Sequence, residues 1–221
     1  MTDLPSASGM RRARPFARRL VRHRWDIRLH HEDRVPDGPV ILAGNHVDIV
    51  DGPLLATLAP RPVHALTKAE MYVGKTGRFL EWAGQVPVVR HTPDPRGIRM
   101  GVEVLRAGRV LGIYPEGARE SGQFEKFEDG VGYFALVSGA PVVPVISFGT
   151  KAMHLTREDA PPRGARIDMW FGETIQFEIA MWPRRRAHVA DVSAQIQEHL
   201  RSALKQAEAE TGLILTDRGA A

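Results

Sequence analysis

Short apolar runs rich in valine and isoleucine alternate along this chain with segments of helical periodicity. Such runs are typical of strands buried on both faces, and helices between them supply the crossovers of a parallel sheet. The strands are predicted at residues 26–32, 39–43, 63–68, 85–90, 110–114, 141–148 and 166–171, and the helices at 10–25, 54–59, 75–82, 95–106, 130–138 and 189–208. We therefore predict a single α/β domain whose largely parallel, mixed sheet is covered by helices on both faces.

The composition narrows the classes of protein to which the chain can belong. It has 221 residues and no cysteine, so a disulfide framework and a thiolate metal site are excluded, and a cytosolic compartment is expected. No apolar run approaches the roughly 20 residues that span a bilayer. The formal net charge is +4 and most of the basic residues are arginines. An arginine-rich surface indicates anionic partners, for which nucleic acid and phospholipid headgroups both qualify.

Residues 10–25 combine seven arginines with apolar residues at helical spacing. This pattern predicts a basic amphipathic helix that lies on an anionic membrane, with Phe16, Leu20 and Trp25 at the interface. A helix that packs on its own domain and exposes its basic face is the alternative, and the sequence leaves both open. We therefore divide the chain into a flexible tail and membrane-facing helix at 1–25 and a main domain at 26–221.

A polar cluster follows the predicted strand at 39–43, where Asn45, His46 and Asp51 precede a helix. A carboxylate that accepts a hydrogen bond from one imidazole nitrogen leaves the other nitrogen free to act as a general base. The less specific interpretation is that Asp51 is a helix N-cap and that His46 has no chemical role.

A second cluster follows the predicted strand at 110–114 and contains Glu116, Gly117 and Arg119. The carboxyl ends of parallel strands meet at one edge of a sheet, where α/β proteins place their sites. We expect the two clusters to lie there together. No Gly-x-Ser-x-Gly motif is present, which argues against a serine hydrolase.

At these two clusters the chain resembles the glycerophospholipid acyltransferase family, of the 1-acylglycerol-3-phosphate acyltransferase type. Asn45, His46 and Asp51 match the family's Asn-His-x4-Asp block. Residues 114–120 approximate its Phe-Pro-Glu-Gly-Thr-Arg-Ser block. Residues 84–90 and 141–144 resemble its other two blocks, in the family's order, and a lysine is present between the first two blocks.

The resemblance extends over residues 38–175 and includes departures from the family pattern. Ala118 and Glu120 replace the usual threonine and serine, and Asp48 replaces a frequent serine. The family's Phe-Lys-x-Gly element reads Phe-Glu-Asp-Gly at 127–130, which removes a positive charge. This change affects the predicted identity of the acceptor headgroup more than the predicted acyl transfer.

The resemblance implies transfer of a fatty acyl group from acyl-CoA or acyl carrier protein to a lysophospholipid hydroxyl. The expected acceptor is 1-acyl-sn-glycerol-3-phosphate and the expected product is phosphatidic acid. His46 would act as general base and Asp51 would orient it, with no metal or other cofactor. The enzyme would be peripheral on the cytoplasmic face of an anionic membrane, without a transmembrane helix or a nucleic-acid partner.

The substrate-binding residues implied in this way are Glu116, Gly117, Arg119, Lys68 and Arg90. The three cations would pair with the acceptor phosphate. Glu116 would bond a glycerol hydroxyl or hold an arginine. We further place an oxyanion hole at residues 84–88. The side chains of Met71, Tyr72, Phe79 and Trp82 either line an acyl tunnel or belong to the ordinary hydrophobic core.

Two other functions remain open at this point. Residues 44–48 are close to the Gly-Asn-His-Asp loop of metal-dependent phosphoesterases, which would need further ligands such as His30, His64, His91 or His154. Alternatively, the chain is a non-catalytic lipid- or nucleic-acid-binding module that uses the basic helix and the arginines at 184–186.

Overall fold

A computed structural model describes residues 4–90, 92, 94–151 and 160–215. The strands of the described part are β1 Asp26–His30, β2 Val40–Gly44, β3 Val63–Lys68, β4 Val86–Val88, β5 Val110–Ile113, β6 Val142–Phe148 and β7 Arg166–Phe171. Its α-helices are α1 Ser8–Arg24, α2 Asp51–Leu58, α3 Gly74–Trp82, α4 Pro95–Arg106, α5 Gly130–Ser138 and α6 Arg186–Thr211.

The strands form one twisted sheet in the order β1-β7-β6-β2-β5-β3-β4. Every neighbouring pair is parallel except β6 and β7, which are antiparallel. The predicted α/β fold with a largely parallel, mixed sheet is therefore confirmed. The carboxyl ends of β2, β5, β3, β4 and β6 lie along a single edge, and the amino end of β7 joins them there.

Strand β2 lies near the middle of the sheet and every one of its residues is buried. Ile41 and Ala43 face the core layer that contains α4, α5 and α6, whereas Val40 and Leu42 face the layer that contains α2. Because alternate side chains of one strand enter two separate cores, the strand has no polar face. This double burial holds the end of β2, and hence the turn that follows it, in a fixed position.

Helix α1 packs on α2 and β1. Its Arg18 donates to the carbonyls of Thr57, Leu58 and Ala59 at 3.1, 2.6 and 3.0 Å, and Arg14 also donates to Ala59. These guanidinium groups satisfy carbonyls that the last turn of a helix leaves without partners. Two of the seven arginines in the predicted basic helix thus hold α2 in place.

The element boundaries shift where local backbone geometry decides them. The strand predicted at 26–32 ends at His30, because His31 has a φ of 59° and a short 3₁₀ turn follows. The strand predicted at 85–90 shrinks to Val86–Val88, a three-residue edge strand with a proline at its centre, as expected for an edge position.

Candidate active site

The turn after β2 is fixed to the neighbouring strand by the side chain of Asn45. Its Nδ2 donates to the Ser147 carbonyl at 3.1 Å, and its Oδ1 accepts from the Ser147 N–H at 2.8 Å. Asn45 is almost fully buried, so both bonds are shielded from water. The residue that follows it therefore enters the site from a rigid position.

His46 and Asp51 are in contact at this turn. The Nδ1 atom of His46 lies 3.0 Å from Oδ2 of Asp51. The same carboxylate oxygen accepts the N–H groups of Val47 and Asp48 at 2.8 and 2.7 Å. Because a carboxylate oxygen accepts hydrogen bonds, this contact favours the tautomer with the proton on Nδ1, which leaves Nε2 as a proton acceptor. Asp51 is 1% exposed while the His46 side chain is 21% exposed, so the imidazole is open to a substrate and its partner is not.

The ring of Tyr114 stacks on His46, with centroids 4.5 Å apart and planes at 29°. Burial and the negative charge of Asp51 raise the pKa of Tyr114 well above its usual value, so the phenol stays neutral. A Cβ atom at Gly44 would lie 2.9 Å from the tyrosine ring, so glycine is required for this approach. No role for Tyr114 was predicted from the sequence, although an aromatic residue directly before Pro-Glu-Gly was the available signal.

Glu116 joins the two motif-bearing loops. Its Oε2 accepts the N–H of His46 at 2.9 Å, and its Oε1 accepts those of Gly122 and Phe124 at 3.1 and 3.2 Å. Burial raises the pKa of Glu116 and these three N–H donors oppose the rise. In return, the Glu120 N–H donates to the His46 carbonyl at 2.9 Å. Both oxygens of Glu116 are thus occupied by backbone donors, and the two predicted clusters are brought together.

Three cations converge beside this pair of loops. Burial lowers the pKa of Lys68, and the positive charges of Arg90 and Arg119 lower it further. Arg90 donates through Nη1 to the Gly117 carbonyl at 2.8 Å. Its Nε is buried and has no hydrogen-bond partner among the described residues. We call Lys68, Arg90 and Arg119 the cation cluster.

Asp48 is a buried carboxylate in the turn between β2 and α2. Burial raises its pKa, the Val50 N–H lowers it, the charge of Asp51 raises it and that of Arg119 lowers it. From the sequence, Asp48 is a departure from the family pattern and part of a phosphoesterase-like loop. Its interactions with the charges of Asp51 and Arg119 make it part of the local charge balance.

Several predicted site features lie elsewhere. The N–H groups of Gly84 and Gln85 donate to carbonyls of α3, so the proposed oxyanion hole at 84–88 is not supported at its first two residues. Met71, Phe79 and Trp82 are exposed rather than enclosed in a tunnel. Trp25, expected at a membrane interface, is half-buried and donates through Nε1 to the Pro161 carbonyl at 3.0 Å.

The histidines considered as metal ligands have other partners where they are described. His30 Nε2 lies 2.8 Å from the buried carboxylate of Asp168, and His64 Nδ1 lies 2.6 Å from the Gly84 carbonyl. His91 and His154 are outside the described residues. Within residues 4–90, 92, 94–151 and 160–215, no group of three or more histidine or carboxylate side chains is placed to hold a metal ion.

The comparisons with known proteins support the family and the fold. A family model described as Acyltransferase matches residues 26–147, more than half of the chain. The chain therefore belongs to the acyltransferase family. A curated relative, the 1-acyl-sn-glycerol-3-phosphate acyltransferase of Bacillus subtilis (strain 168), is 29% identical over 124 residues, which are 55% of this chain. The match spans 62% of the length of that relative.

A solved structure shares the architecture. The crystal structure of the 1-acyl-sn-glycerophosphate (LPA) acyltransferase PlsC from Thermotoga maritima superposes with a TM-score of 0.61 at 21% identity. The superposition covers 87% of this chain and 80% of the other. At this identity the likeness establishes the fold.

Proposed function

We propose that this protein transfers a fatty acyl group from a thioester donor to the hydroxyl of a lysophospholipid, with 1-acyl-sn-glycerol-3-phosphate as acceptor. The observation that carries the proposal is the His46–Asp51 pair beside the cation cluster. A general base next to an anion-binding group is what acylation of a phosphate-bearing alcohol requires. The name of the Bacillus subtilis relative supports the same acceptor.

The chemistry needs no covalent enzyme intermediate, because a thioester is already an activated acyl group. Nε2 of His46 takes the proton of the acceptor hydroxyl as its oxygen attacks the thioester carbonyl carbon. The tetrahedral intermediate then collapses, the C–S bond breaks and the thiolate leaves. The thiolate takes the proton from the imidazolium, so the histidine is regenerated. Asp51 stabilises the imidazolium in the interval and keeps the ring oriented.

The cation cluster is the proposed phosphate site. Guanidinium groups bind phosphate oxygens with paired hydrogen bonds, and a lysine adds a compact charge. The buried, unpartnered Nε of Arg90 supports this role, since buried donors in native proteins nearly always have an acceptor. Gly117 and Glu116 shape the wall of this site by holding Arg90 and the loop that carries Arg119.

We also propose that the protein docks on one side of an anionic membrane. Gly9 of α1 packs on Trp82 of α3, and both helices expose apolar side chains. Phe16, Leu20, Phe79 and Trp82 are between 50% and 73% exposed, and we call them the apolar surface. The exposed arginines of α1 are Arg11, Arg12, Arg19, Arg22 and Arg24. No helix within the described residues is both long and apolar enough to cross a bilayer.

The test is acyl transfer by the purified protein from acyl-CoA and from acyl carrier protein to 1-acyl-sn-glycerol-3-phosphate. We expect phosphatidic acid and a stoichiometric release of thiol. The variant His46→Ala should lose on the order of 10²–10⁴ in turnover, the usual contribution of a general base. His188→Ala, at an exposed histidine of α6, is the matched control and should keep its activity. A folded protein that acylates no lysophospholipid from either donor would refute the proposal.

A further inference from the structure

A cavity of about 200 Å³ lies directly beside the catalytic turn and is separate from the cation cluster. Val47, the residue after His46, forms part of its wall, and Ser121 of the Glu116 loop forms another part. Lys151 and Arg166 line it at the ends of β6 and β7. Residues 213–215, which follow the last helix, close it with apolar side chains.

The strand order places this cavity on the opposite side of His46 from the cation cluster. Lys68 is at the end of β3, and Arg90 and Arg119 follow β4 and β5, all on one side of β2. The cavity lies toward β6 and β7, on the other side. Two substrates must reach the same imidazole in an acyl transfer. If the acceptor phosphate binds at the cation cluster, the side of β6 and β7 is left for the donor.

The cations of this cavity differ in how firmly they are held. Arg166 donates through Nε and Nη2 to the fully buried carboxylate of Asp168 at 2.6 and 2.9 Å. These two bonds fix the guanidinium group. Lys151 forms no salt bridge with any residue in the described part of the chain. The cavity thus combines apolar walls with one fixed positive charge and one that has no ion-pair partner within residues 4–90, 92, 94–151 and 160–215.

We propose that this cavity binds the phosphate end of the phosphopantetheine arm of the acyl donor, with Lys151 and Arg166 at the phosphate. In that arm the phosphate ester is followed by a methylene group and then by a carbon that bears two methyl groups. Adjacent anionic and apolar groups of this kind match the two cations and the apolar residues 213–215. Acyl-CoA and acyl carrier protein share the arm. The inference rests on the proposed acyl transfer.

The experiment compares three donors that carry the same acyl thioester: acyl-CoA, acyl-phosphopantetheine and acyl-pantetheine, which lacks the phosphate. Lys151→Ala should lower kcat/KM about tenfold for the first two, the effect of one lost charge-assisted hydrogen bond. The same variant should leave kcat/KM for acyl-pantetheine and the KM for the acceptor unchanged. Lys205→Ala, at an exposed lysine of α6, is the matched control. Acyl carrier protein as donor should show the same loss as acyl-CoA.

The outcomes separate this inference from the function on which it rests. A wild-type protein that uses none of the thioesters refutes the acyl transfer itself. An active protein in which Lys151→Ala affects all three synthetic donors equally, or raises the acceptor KM, refutes the donor site. A loss with acyl-CoA alone would assign Lys151 to the nucleotide part and refute the phosphopantetheine assignment. Calorimetric binding of phosphopantetheine, abolished by Lys151→Ala, supports the site independently of turnover.

Discussion

In the proposed mechanism Asp51 touches no substrate and acts through the groups that it holds. One oxygen accepts three hydrogen bonds, from the His46 ring and from two backbone N–H groups. Its other oxygen is buried and has no partner among the described residues. This asymmetry keeps the negative charge on the side of the imidazole, where it is needed when the ring is protonated.

Asp51→Asn should therefore lower kcat more than it raises the acceptor KM. The amide oxygen can still accept the three hydrogen bonds, so the turn keeps its shape, but the neutral group no longer stabilises the imidazolium. Steady-state kinetics with the acceptor varied at saturating donor measures both constants. Circular dichroism verifies the fold. An unchanged kcat with a raised KM would mean that Asp51 serves acceptor binding instead.

Asp48 is a residue whose charge state couples stability to pH. Its pKa is raised by burial, so the folded state favours the protonated acid. The stabilisation is present below the unfolded pKa of about 3.9 and is lost as the pH rises through the folded value. The variant Asp48→Asn has no carboxyl group to ionise at this position and therefore does not lose this stability. It should have a higher Tm than the wild type at pH 7, and the difference should vanish near pH 3. A lower Tm for the variant at pH 7 would show that the attraction to Arg119 outweighs burial.

At the scale of elements, the sequence predicted the sheet well and the turns poorly. Strands β2, β5 and β6 fall within a residue of their predicted bounds because burial on both faces leaves an unbroken apolar run. The partners of Glu116 could not be predicted, since the N–H groups of Gly122 and Phe124 lie in an irregular loop that takes positive φ at Gly117, Gly122 and Phe124. The cation cluster depends on the order β5-β3-β4, which no local pattern encodes.

Helices α1 and α2 form a unit: α2 begins with a residue of the candidate site and ends on contacts with α1. Asp51 is the first residue of α2, and Arg18 binds the carbonyls at its last turn. With only 8 residues, α2 makes few hydrogen bonds of its own and depends on its neighbours for position. The arginines that the sequence predicted to bind a membrane thus include two that stabilise the helix that begins at Asp51.

Arg18→Ala should lower the free energy of unfolding by about 1–3 kcal/mol, since it leaves half-buried carbonyls without donors. It should also lower kcat, because α2 no longer holds Asp51 as firmly. Chemical denaturation and steady-state kinetics measure the two effects. Arg19→Ala, at the adjacent exposed arginine, is the matched control and should change neither. Equal behaviour of the two variants would show that the contact with α2 contributes nothing.

Two groups of exposed apolar side chains within the described residues adjoin arginines. One is the apolar surface on α1 and α3, next to five exposed arginines. The other contains Met181 and Trp182, which are 83% and 80% exposed and precede Arg184. Both combine apolar and basic side chains, so composition alone does not distinguish them. Helix α3 connects β3 to β4, the strands that end at Lys68 and just before Arg90, and Gly9 of α1 packs on its Trp82, so we favour the apolar surface as the docking face.

The double variant Phe16→Ser/Leu20→Ser should therefore reduce flotation with anionic liposomes at low and at high salt. The double variant Arg12→Glu/Arg19→Glu should cause a larger reduction at low salt than at high salt. Each arginine near a charged bilayer contributes about 1 kcal/mol, and salt screens this attraction, whereas the apolar contribution does not depend on salt. Activity on detergent-dispersed acceptor should remain, because none of these four side chains contacts His46, Asp51 or the cation cluster. Met181→Ser/Trp182→Ser is the matched control on the second area. If that control loses flotation while the α1 variants keep it, the membrane binds at residues 181–186 and the docking face proposed on α1 and α3 is wrong.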